Sequence, residues 1–350
     1  MNELNETTTA IWIGLDVAKD TFAACVNLEH IAGQEPQIRR MKTQEFERTE
    51  RGVEQCLAWA DQRLEGAGRP AAALRVCMES TGRYSQEAAR WLWKTRPSTQ
   101  PAIVNPRFIK DYGGSLRLRN KTDSLDARVI ACYGADRNPP AWEIPSKEYQ
   151  ALQELSRQRH ALVKTCAAEK QRMQETTLNR TVRAIQSRHV EQLQAHIQTL
   201  EDEIERTIEQ CAPLAEDVRV CDTIPGVGKV TIGVVFSELG DLRKYARARQ
   251  VTACAGLTPR IVESGTSLRK PTRLAKTGNR RVRGALFLAA MGALRTKKPN
   301  KLSRFYAKLT KAGKTKMQAL CAVMRKILVL MRAVVISGEK YDDSYDPRTT

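Results

Sequence analysis

Two carboxylates near residue 125 have the spacing of residues that could act together on one ligand. In the stretch NKTDSLDAR, residues 120–128, Asp123 and Asp126 lie three residues apart and are followed by residues that favour helix. On a helix both side chains would leave the same face, and like charges this close repel unless a cation lies between them. Carboxylate oxygens suit a divalent metal, so the spacing predicts part of a metal site. The alternative is a pair of solvated acids that cap a helix.

Two further acids stand at the ends of apolar segments. Asp16 ends the apolar run at residues 11–15, and Glu79 ends the run at residues 74–78. Both runs are short and bounded by polar residues, as buried strands are. A carboxylate beside buried strands is costly unless it is paired or bound to metal. We therefore predict that four acids converge on one divalent cation: Asp16, Glu79, Asp123 and Asp126.

The order of elements around these acids predicts an α/β domain. An apolar hairpin turns at residues 18–20, a third strand is expected at 37–42, and a helix at 44–64. A strand at 74–79, a helix at 84–94, a short strand at 102–104 and the helix with Asp123 and Asp126 follow. Three strands, a helix, and then alternating strands and helices is the order of a ribonuclease-H-like (RuvC-like) domain. In that architecture the first and fourth strands and a late helix supply the acids.

Residues 146–212 are rich in Gln, Glu, Arg and Leu and almost free of Gly and Pro. Apolar residues at three-four spacing predict two long helices, an antiparallel hairpin that turns near residues 179–188. Such a hairpin could pair with a second copy of the chain or serve as an internal linker.

The basic residues are concentrated in the last third of the chain. The net charge is +19, and residues 218–350 hold 28 Lys and Arg against 8 Asp and Glu. A surface this basic favours polyanions, nucleic acid above all. A membrane role is less favoured, because Pro, Gly and Asn interrupt the basic residues and no apolar run is long enough to cross a bilayer. Residues 1–10 lack the pattern of a secretion signal, and the nine scattered cysteines indicate a reducing compartment.

Two segments of this basic region could contact phosphate. In the stretch TIPGVGK, residues 223–229, two glycines precede a helix and make a tight turn whose amides could meet a phosphate, as in half of a helix-hairpin-helix. A plain turn into a helix is the alternative. Further on, Ser264 lies in a loop rich in Gly, Pro, Ser and Thr, with many cations around it. A serine among cations suits a phosphodiester nucleophile, although a bystander or a phosphate contact is the default interpretation.

Taken together, these motifs resemble one family, the DEDD transposases of the insertion-sequence-110 (IS110) type, relatives of the Piv DNA invertases. The first half carries the resemblance through GLDVAKDTF, MESTGRY, the VNP at residues 104–106 and KTDSLDA. The second half carries it through IPGVGK, the GLTP at residues 256–259, Ser264-Gly265 and KTGN with Arg283. The motifs occur in the family's order over nearly the whole chain.

The resemblance implies a RuvC-like domain that binds Mg2+ through the four acids, a coiled coil used in dimerisation, and a C-terminal domain whose serine attacks DNA and becomes linked to it. It also implies a structured bridge RNA as guide, and a composite active site shared between protomers of a dimer, or of a tetramer when active. Ser264 is then the nucleophile. Pro271 stands where the family commonly has glycine, and the loop is about one residue longer, so Ser267 remains an alternative.

The expected organisation is a RuvC-like domain at residues 1–145, a coiled coil at 146–217, a transposase domain at 218–338 and a flexible tail at 339–350. We expect a bacterial cytoplasmic enzyme, associated with the nucleoid when it acts, that excises and inserts a mobile DNA element. A metal-dependent RuvC-like nuclease or junction resolvase, and a non-catalytic nucleic-acid-binding protein, are the alternatives. The predicted nucleic-acid ligands are Lys121, Gly226, Gly228, Lys229, Arg260, Arg269, Lys270, Lys276, Asn279, Arg280, Arg281 and Arg283.

Overall fold

A computed structural model of the protein describes residues 10–28, 37–70, 74–116, 122–174, 179–264, 268–275 and 277–343. The chain divides into two compact units, residues 1–144 and residues 145–350. The first is mixed α/β and the second is mostly helical. None of the helices in the described ranges combines the length and apolar character that a bilayer-spanning segment requires.

The first unit is built on a five-stranded sheet with the strand order β3-β2-β1-β4-β5. The strands are β1 (Ile11–Val17), β2 (Thr21–Asn27), β3 (Thr43–Glu47), β4 (Leu74–Glu79) and β5 (Ala102–Val104). β2 pairs antiparallel with both β1 and β3, whereas β4 runs parallel to β1 and β5 parallel to β4. The three central strands are almost wholly buried, because helices cover both faces of the sheet.

Successive residues of each strand point to opposite faces, and this alternation sorts the helices. Ile13, Leu15 and Met78 pack with the helices α1 (Glu50–Glu65) and α2 (Arg83–Thr95). Trp12 and Cys77 pack on the other face, with α3 (Pro106–Ser115) and α4 (Asp123–Arg137). The strands that carry Asp16 and Glu79 therefore have α1 and α2 on one face of the sheet and α3 and α4 on the other.

Two predicted boundaries in this unit are wrong. The strand expected at residues 37–42 is a short 3-10 helix, Ile38–Arg40, and the third strand is β3. The helix expected from residue 44 begins at Glu50, because the Thr49 side chain accepts a hydrogen bond from the Gly52 amide and caps it. The helix α3 was not predicted at all; it begins at a proline after the capping residue Asn105.

The second unit contains eight α-helices and a two-stranded hairpin in its described residues. These are α5 (Lys147–Arg172), α6 (Arg180–Glu209), α7 (Ala212–Cys221), α8 (Lys229–Leu239), α9 (Ala248–Cys254), β6 (Pro259–Ser264), β7 (Leu268–Leu274), α10 (Arg280–Leu294), α11 (Lys301–Lys311) and α12 (Lys316–Ser337). The core of the unit is centred on α12, whose residues Ile327, Leu328, Met331 and Val334 are fully buried.

The helices α5 and α6 form the predicted antiparallel hairpin. Cys166 packs against Val190 and Leu193, and Arg159 forms an ion pair with Glu201 further from the turn. The helix α5 ends at Arg172 and α6 begins at Arg180, so the turn comes before the predicted residues 179–188. The Asn179 side chain accepts a hydrogen bond from the Thr181 amide and starts α6 there. This hairpin falls within the second compact unit, and the separate domain boundary expected at residues 217–218 stays a prediction.

Candidate functional site

The parallel pairing of β1 and β4 brings Asp16 and Glu79 side by side. Leu15 pairs with Met78, so the next residue of each strand, Asp16 or Glu79, stands at the carboxyl end of its strand and on the same face of the sheet. Both acids are partly buried. Two acids separated by 63 residues in the sequence therefore share one edge of the sheet.

The helix α4 crosses that same face in very close contact. A Cβ atom built on Gly14 would lie 2.2 Å from the carbonyl oxygen of Ala127 and 2.3 Å from the nitrogen of Ala131. Further along the helix, a Cβ atom on Gly134 would lie 2.7 Å from the Trp12 ring. Residues later in the helix thus face residues earlier in the strand, and α4 runs back along β1. Its first turn lies at the strand's carboxyl end.

The remaining two acids stand in that first turn. Asp16 is two residues beyond Gly14, about 6.6 Å along the strand, and Asp123 is four residues before Ala127, about 6 Å along the helix. These two distances from the point of close contact are nearly equal, so the first turn of α4 lies beside the carboxyl end of β1. Asp123 is exposed and Asp126 partly buried. The capping residue is Thr122, whose hydroxyl accepts from the Leu125 amide at 3.2 Å, so neither acid has the capping role considered above.

The backbone gathers the four acids at one edge, but the side chains do not form a closed ligand set. Across the described residues, no group of three or more His, Cys, Asp or Glu side chains is placed to hold a metal ion. The donors available here are carboxylate oxygens, the ligand type that Mg2+ and other hard divalent cations take. The chemistry of the four residues fits such a cation; their role as ligands remains a prediction.

One residue beside this edge was missed by the sequence analysis. Arg48 donates from Nε to the carbonyl oxygen of Lys19 at 2.6 Å, and its Nη1 donates to Glu87 at 2.6 Å. Its guanidinium also lies 4.6 Å from the centre of the Tyr84 ring. These contacts tie the β1–β2 turn, which follows Asp16, to the helix that follows Glu79. No motif marks Arg48, because its partners come from two distant segments.

Ser264, the predicted nucleophile, is the last residue of β6, where it pairs with Leu268 in a β-hairpin. The sequence predicted a loop at this place. Arg260 pairs with Arg273 directly across the hairpin, and both are exposed. Like charges directly opposite each other destabilise a sheet unless an anion lies near. The side chains of Ser264, Arg269 and Lys270, and the whole of Lys121, Gly265, Ser267 and Lys276, lie outside the described part of the chain.

The predicted ligands Asn279 and Arg283 are engaged inside the protein. Asn279 starts α10 by accepting from two backbone amides, and its Nδ2 donates to Glu238 at 2.7 Å. Arg283 Nη1 donates to the carbonyl oxygens of Ala255 and Gly278, at 3.1 and 2.7 Å. Burial lowers the pKa of Arg283, and neighbouring Arg280 lowers it further. Both side chains therefore stabilise the start of α10 through contacts within the protein. Arg280, by contrast, is exposed at the start of α10.

Glu238 accepts hydrogen bonds from several of these structural residues, and this role was not predicted from the sequence. Its side chain is 3% exposed, and Arg157 binds both of its oxygens, at 2.8 and 3.1 Å. Burial raises the pKa of Glu238, but the hydrogen bonds and charge of Arg157, the Asn279 amide and the charge of Arg281 outweigh burial and hold the pKa below its ordinary value. Glu238 therefore links α5, α8 and α10 as a carboxylate.

The glycine turn before α8 has two different sides. Gly226 has a φ of 78°, and a Cβ atom there would lie 2.3 Å from the carbonyl oxygen of Ala289, so this glycine lets the turn pack against α10. Gly228 caps α8 and has open space around it. Lys229 forms an ion pair with Glu205 at 2.9 Å. Of the two glycines in this turn, Gly228 is therefore the one with open space at its Cα.

Comparison with known proteins identifies the class of the chain. Residues 13–182 match a family model described as a transposase, of the DEDD and IS110 type, and residues 218–307 match the model of the transposase IS116/IS110/IS902 family. The pilin gene-inverting protein of Moraxella bovis is 29% identical over 95% of this chain and 97% of its own length. The transposase for insertion sequence element IS1111A of Coxiella burnetii is 25% identical over 81% of this chain and 78% of its own length.

These relatives rearrange DNA, and the chain is accordingly a DNA-rearranging enzyme of the transposase class that acts on DNA. It belongs to the IS110-type transposase family. The DEDD character of the family implies a divalent metal.

Proposed function

We propose that this protein excises and inserts a mobile DNA element by cutting and rejoining DNA through a phosphoserine intermediate. The hydroxyl oxygen of Ser264 would attack the phosphorus of the scissile phosphodiester, forming a serine-phosphate bond as the bond to the leaving deoxyribose oxygen breaks. Attack by a DNA hydroxyl on that serine phosphate then restores a phosphodiester and frees the serine. Each step exchanges one phosphate ester for another, so no ATP is required.

The observation that carries this proposal is the meeting of Asp16, Glu79 and the first turn of α4 at one sheet edge. We propose that the first unit has a RuvC-like fold, supported by its strand order, and that the four acids hold Mg2+. When bound, such a cation would offset negative charge on the phosphate. The acids would hold the cation at the end of the sheet, and Arg48 would keep the β1–β2 turn and α2 in register around them.

The guide and the oligomer are part of the same proposal. The net positive charge of residues 218–350 supports binding of nucleic acid, and we propose that a structured bridge RNA is bound as well as DNA. Val182 and Ile185 on α6 are 43% and 61% exposed, which supports pairing of the α5–α6 hairpin with a second copy. A dimer or tetramer could then supply a composite active site from two protomers.

A test of the chemistry uses the full-length protein and its element in bacterial cells. Ser264→Ala should abolish excision, and Ser267→Ala, its matched control three residues further along the sequence, should preserve it. Excision that survives in Ser264→Ala would end the assignment. Denaturation of the reaction mixture should trap a covalent protein–DNA adduct; a nuclease that uses water would cut without leaving one.

Two further measurements test the metal and the guide. Asp16→Asn and Asp126→Asn should each abolish excision while leaving binding to DNA intact; unchanged rearrangement would mean that the acids only organise the fold. Sequencing the RNA that copurifies with the protein should recover one structured transcript from the element's own non-coding end. Recovery of random cellular RNA would contradict the guide.

A further inference from the structure

The helix α11 has an apolar side and a basic side. Leu302 is fully buried, and Phe305 and Tyr306 are partly buried against the core that α12 forms. At 100° per residue, the four cations of the helix fall within an arc of about 80° on a different side. We call this row the α11 stripe, and its members are Lys301, Arg304, Lys308 and Lys311.

The stripe lies in a wider basic region. Lys297 and Lys298 precede it, Lys314 and Lys316 follow it, and all four are exposed. From residue 295 to residue 316 the sequence has no Asp or Glu. Like charges at three-four spacing destabilise a helix, so this row does not exist to stabilise α11. Such a row becomes favourable when a polyanion lies along it.

The dimensions of the stripe suit a duplex backbone. From Lys301 to Lys311 the helix rises about 15 Å, a length over which double-stranded DNA carries about nine phosphate charges. Phe305 and Tyr306 are packed toward the core, so no aromatic ring stands in the row to stack an unpaired base. Charge without stacking is the pattern of backbone contact to a duplex.

An internal carboxylate already occupies the first position. Asp343 accepts from the Lys301 backbone amide at 3.0 Å and forms an ion pair with the Arg304 guanidinium. Both partners of that pair are about half exposed, at 55% for Arg304 and 43% for Asp343. A phosphate could therefore reach the same donors once Asp343 moves away.

We propose that the α11 stripe binds the phosphate backbone of double-stranded DNA without reading its sequence, and that Asp343 competes with the first phosphate. The inference rests on the proposed action on DNA but not on the serine chemistry. Lys308 and Lys311 lie beyond the matched family region, which ends at residue 307.

The experiment measures the affinity of the full-length protein for a 30-base-pair DNA duplex of arbitrary sequence by fluorescence anisotropy, across a series of salt concentrations. The double variant Lys308→Gln/Lys311→Gln should reduce the steepness of log affinity against log salt by about 1.8. Between 1 M and 0.1 M salt, its affinity should therefore rise about 60-fold less than that of the wild type. The control is Lys110→Gln/Lys147→Gln, which removes two exposed lysines outside the stripe and should leave the slope unchanged.

Asp343→Asn should strengthen binding and increase the steepness of the salt dependence by about 0.9, the value for one phosphate contact. An unchanged affinity would overturn the competing role of Asp343. If the double variant binds DNA like its control, the stripe is a solvated face and the inference is wrong. If it loses affinity only for an RNA duplex of the same length, the assignment to DNA is wrong. Failure of the wild-type protein to excise its element, with the salt slopes as expected, would refute the proposed function and leave the stripe standing.

Discussion

Replacement of Gly14 by alanine is the most direct test of how the acids are brought together. The new Cβ would meet the Ala127 carbonyl oxygen at 2.2 Å, whereas ordinary contact begins at 3.4 Å, so α4 must move by about 1 Å. Overpacking of this size costs about 1–3 kcal/mol, less than the stability of a typical domain. A 1 Å misplacement of catalytic groups costs about 100-fold in rate. We therefore expect Gly14→Ala to remain folded and to excise its element about 100-fold more slowly.

The assay compares excision in cells with thermal unfolding of the purified protein. Gly114→Ala is the matched control, because this glycine lies in α3 and has no atom within 4 Å of its added Cβ. Alanine is a better helix former than glycine by about 0.5–1 kcal/mol, so the control should retain activity and unfold at a slightly higher temperature. Binding of nucleic acid by both variants would show that the second unit is intact.

The result that would refute the reasoning is excision by Gly14→Ala within twofold of the wild type, together with an unchanged melting temperature. The helix α4 would then not need its close contact with β1 to place Asp123 and Asp126. A loss of excision in both glycine variants would equally remove the argument, because a substitution in open space should not affect the acids.

Substitutions at three other positions probe the framework. Glu238→Ala should lower the free energy of unfolding by about 1–3 kcal/mol, because it removes the buried carboxylate that accepts hydrogen bonds from Arg157 and Asn279. Since the pKa of Glu238 is held below its ordinary value, its contribution to stability is present above about pH 4.5 and is lost as the pH falls through the folded-state pKa. Glu238→Gln should therefore flatten the acid limb of a stability–pH curve. Thr122→Ala should cost about 1 kcal/mol and increase amide exchange in the first turn of α4. Arg283→Lys should lower the melting temperature, because the shorter lysine side chain would not bring its ammonium group to the two carbonyl oxygens that Arg283 Nη1 reaches; equal melting temperatures would show that the contact is dispensable.

The strands that carry the acids were predictable because burial determines their composition. Leu74–Glu79 and Ala102–Val104 are short, mostly apolar segments, in which Arg75 and the terminal Glu79 are the charged residues, and the structure has strands with these same bounds. The strand β3 was misplaced because it lies at the sheet edge, where Phe46 is its one buried residue. Four exposed or partly exposed positions out of five leave almost no hydrophobic signal.

The bracing residues could not have been predicted, because their roles depend on contacts distant in sequence. Gly14 reads as an ordinary residue of an apolar strand, and its importance comes from a helix more than 110 residues later. Arg157 and Glu238 are 81 positions apart, and neither belongs to a motif. The hairpin of β6 and β7 was expected to be a loop because its strands are polar and contain proline, and cross-strand pairing cannot be predicted from composition.

The continuity of α5 has a consequence for engineering this enzyme. Its first half is fixed to α8 by Arg157, and the same unbroken helix continues for about four more turns toward the connection at residue 173. Inserting one residue at Lys164 would rotate the rest of α5 by about 100° about the helix axis. Cys166 would then no longer lie on the same face of the helix relative to Val163. An insert at Met173 or Gln174, just after the end of α5, leaves the phase of that helix unchanged, so a label or fused domain belongs there.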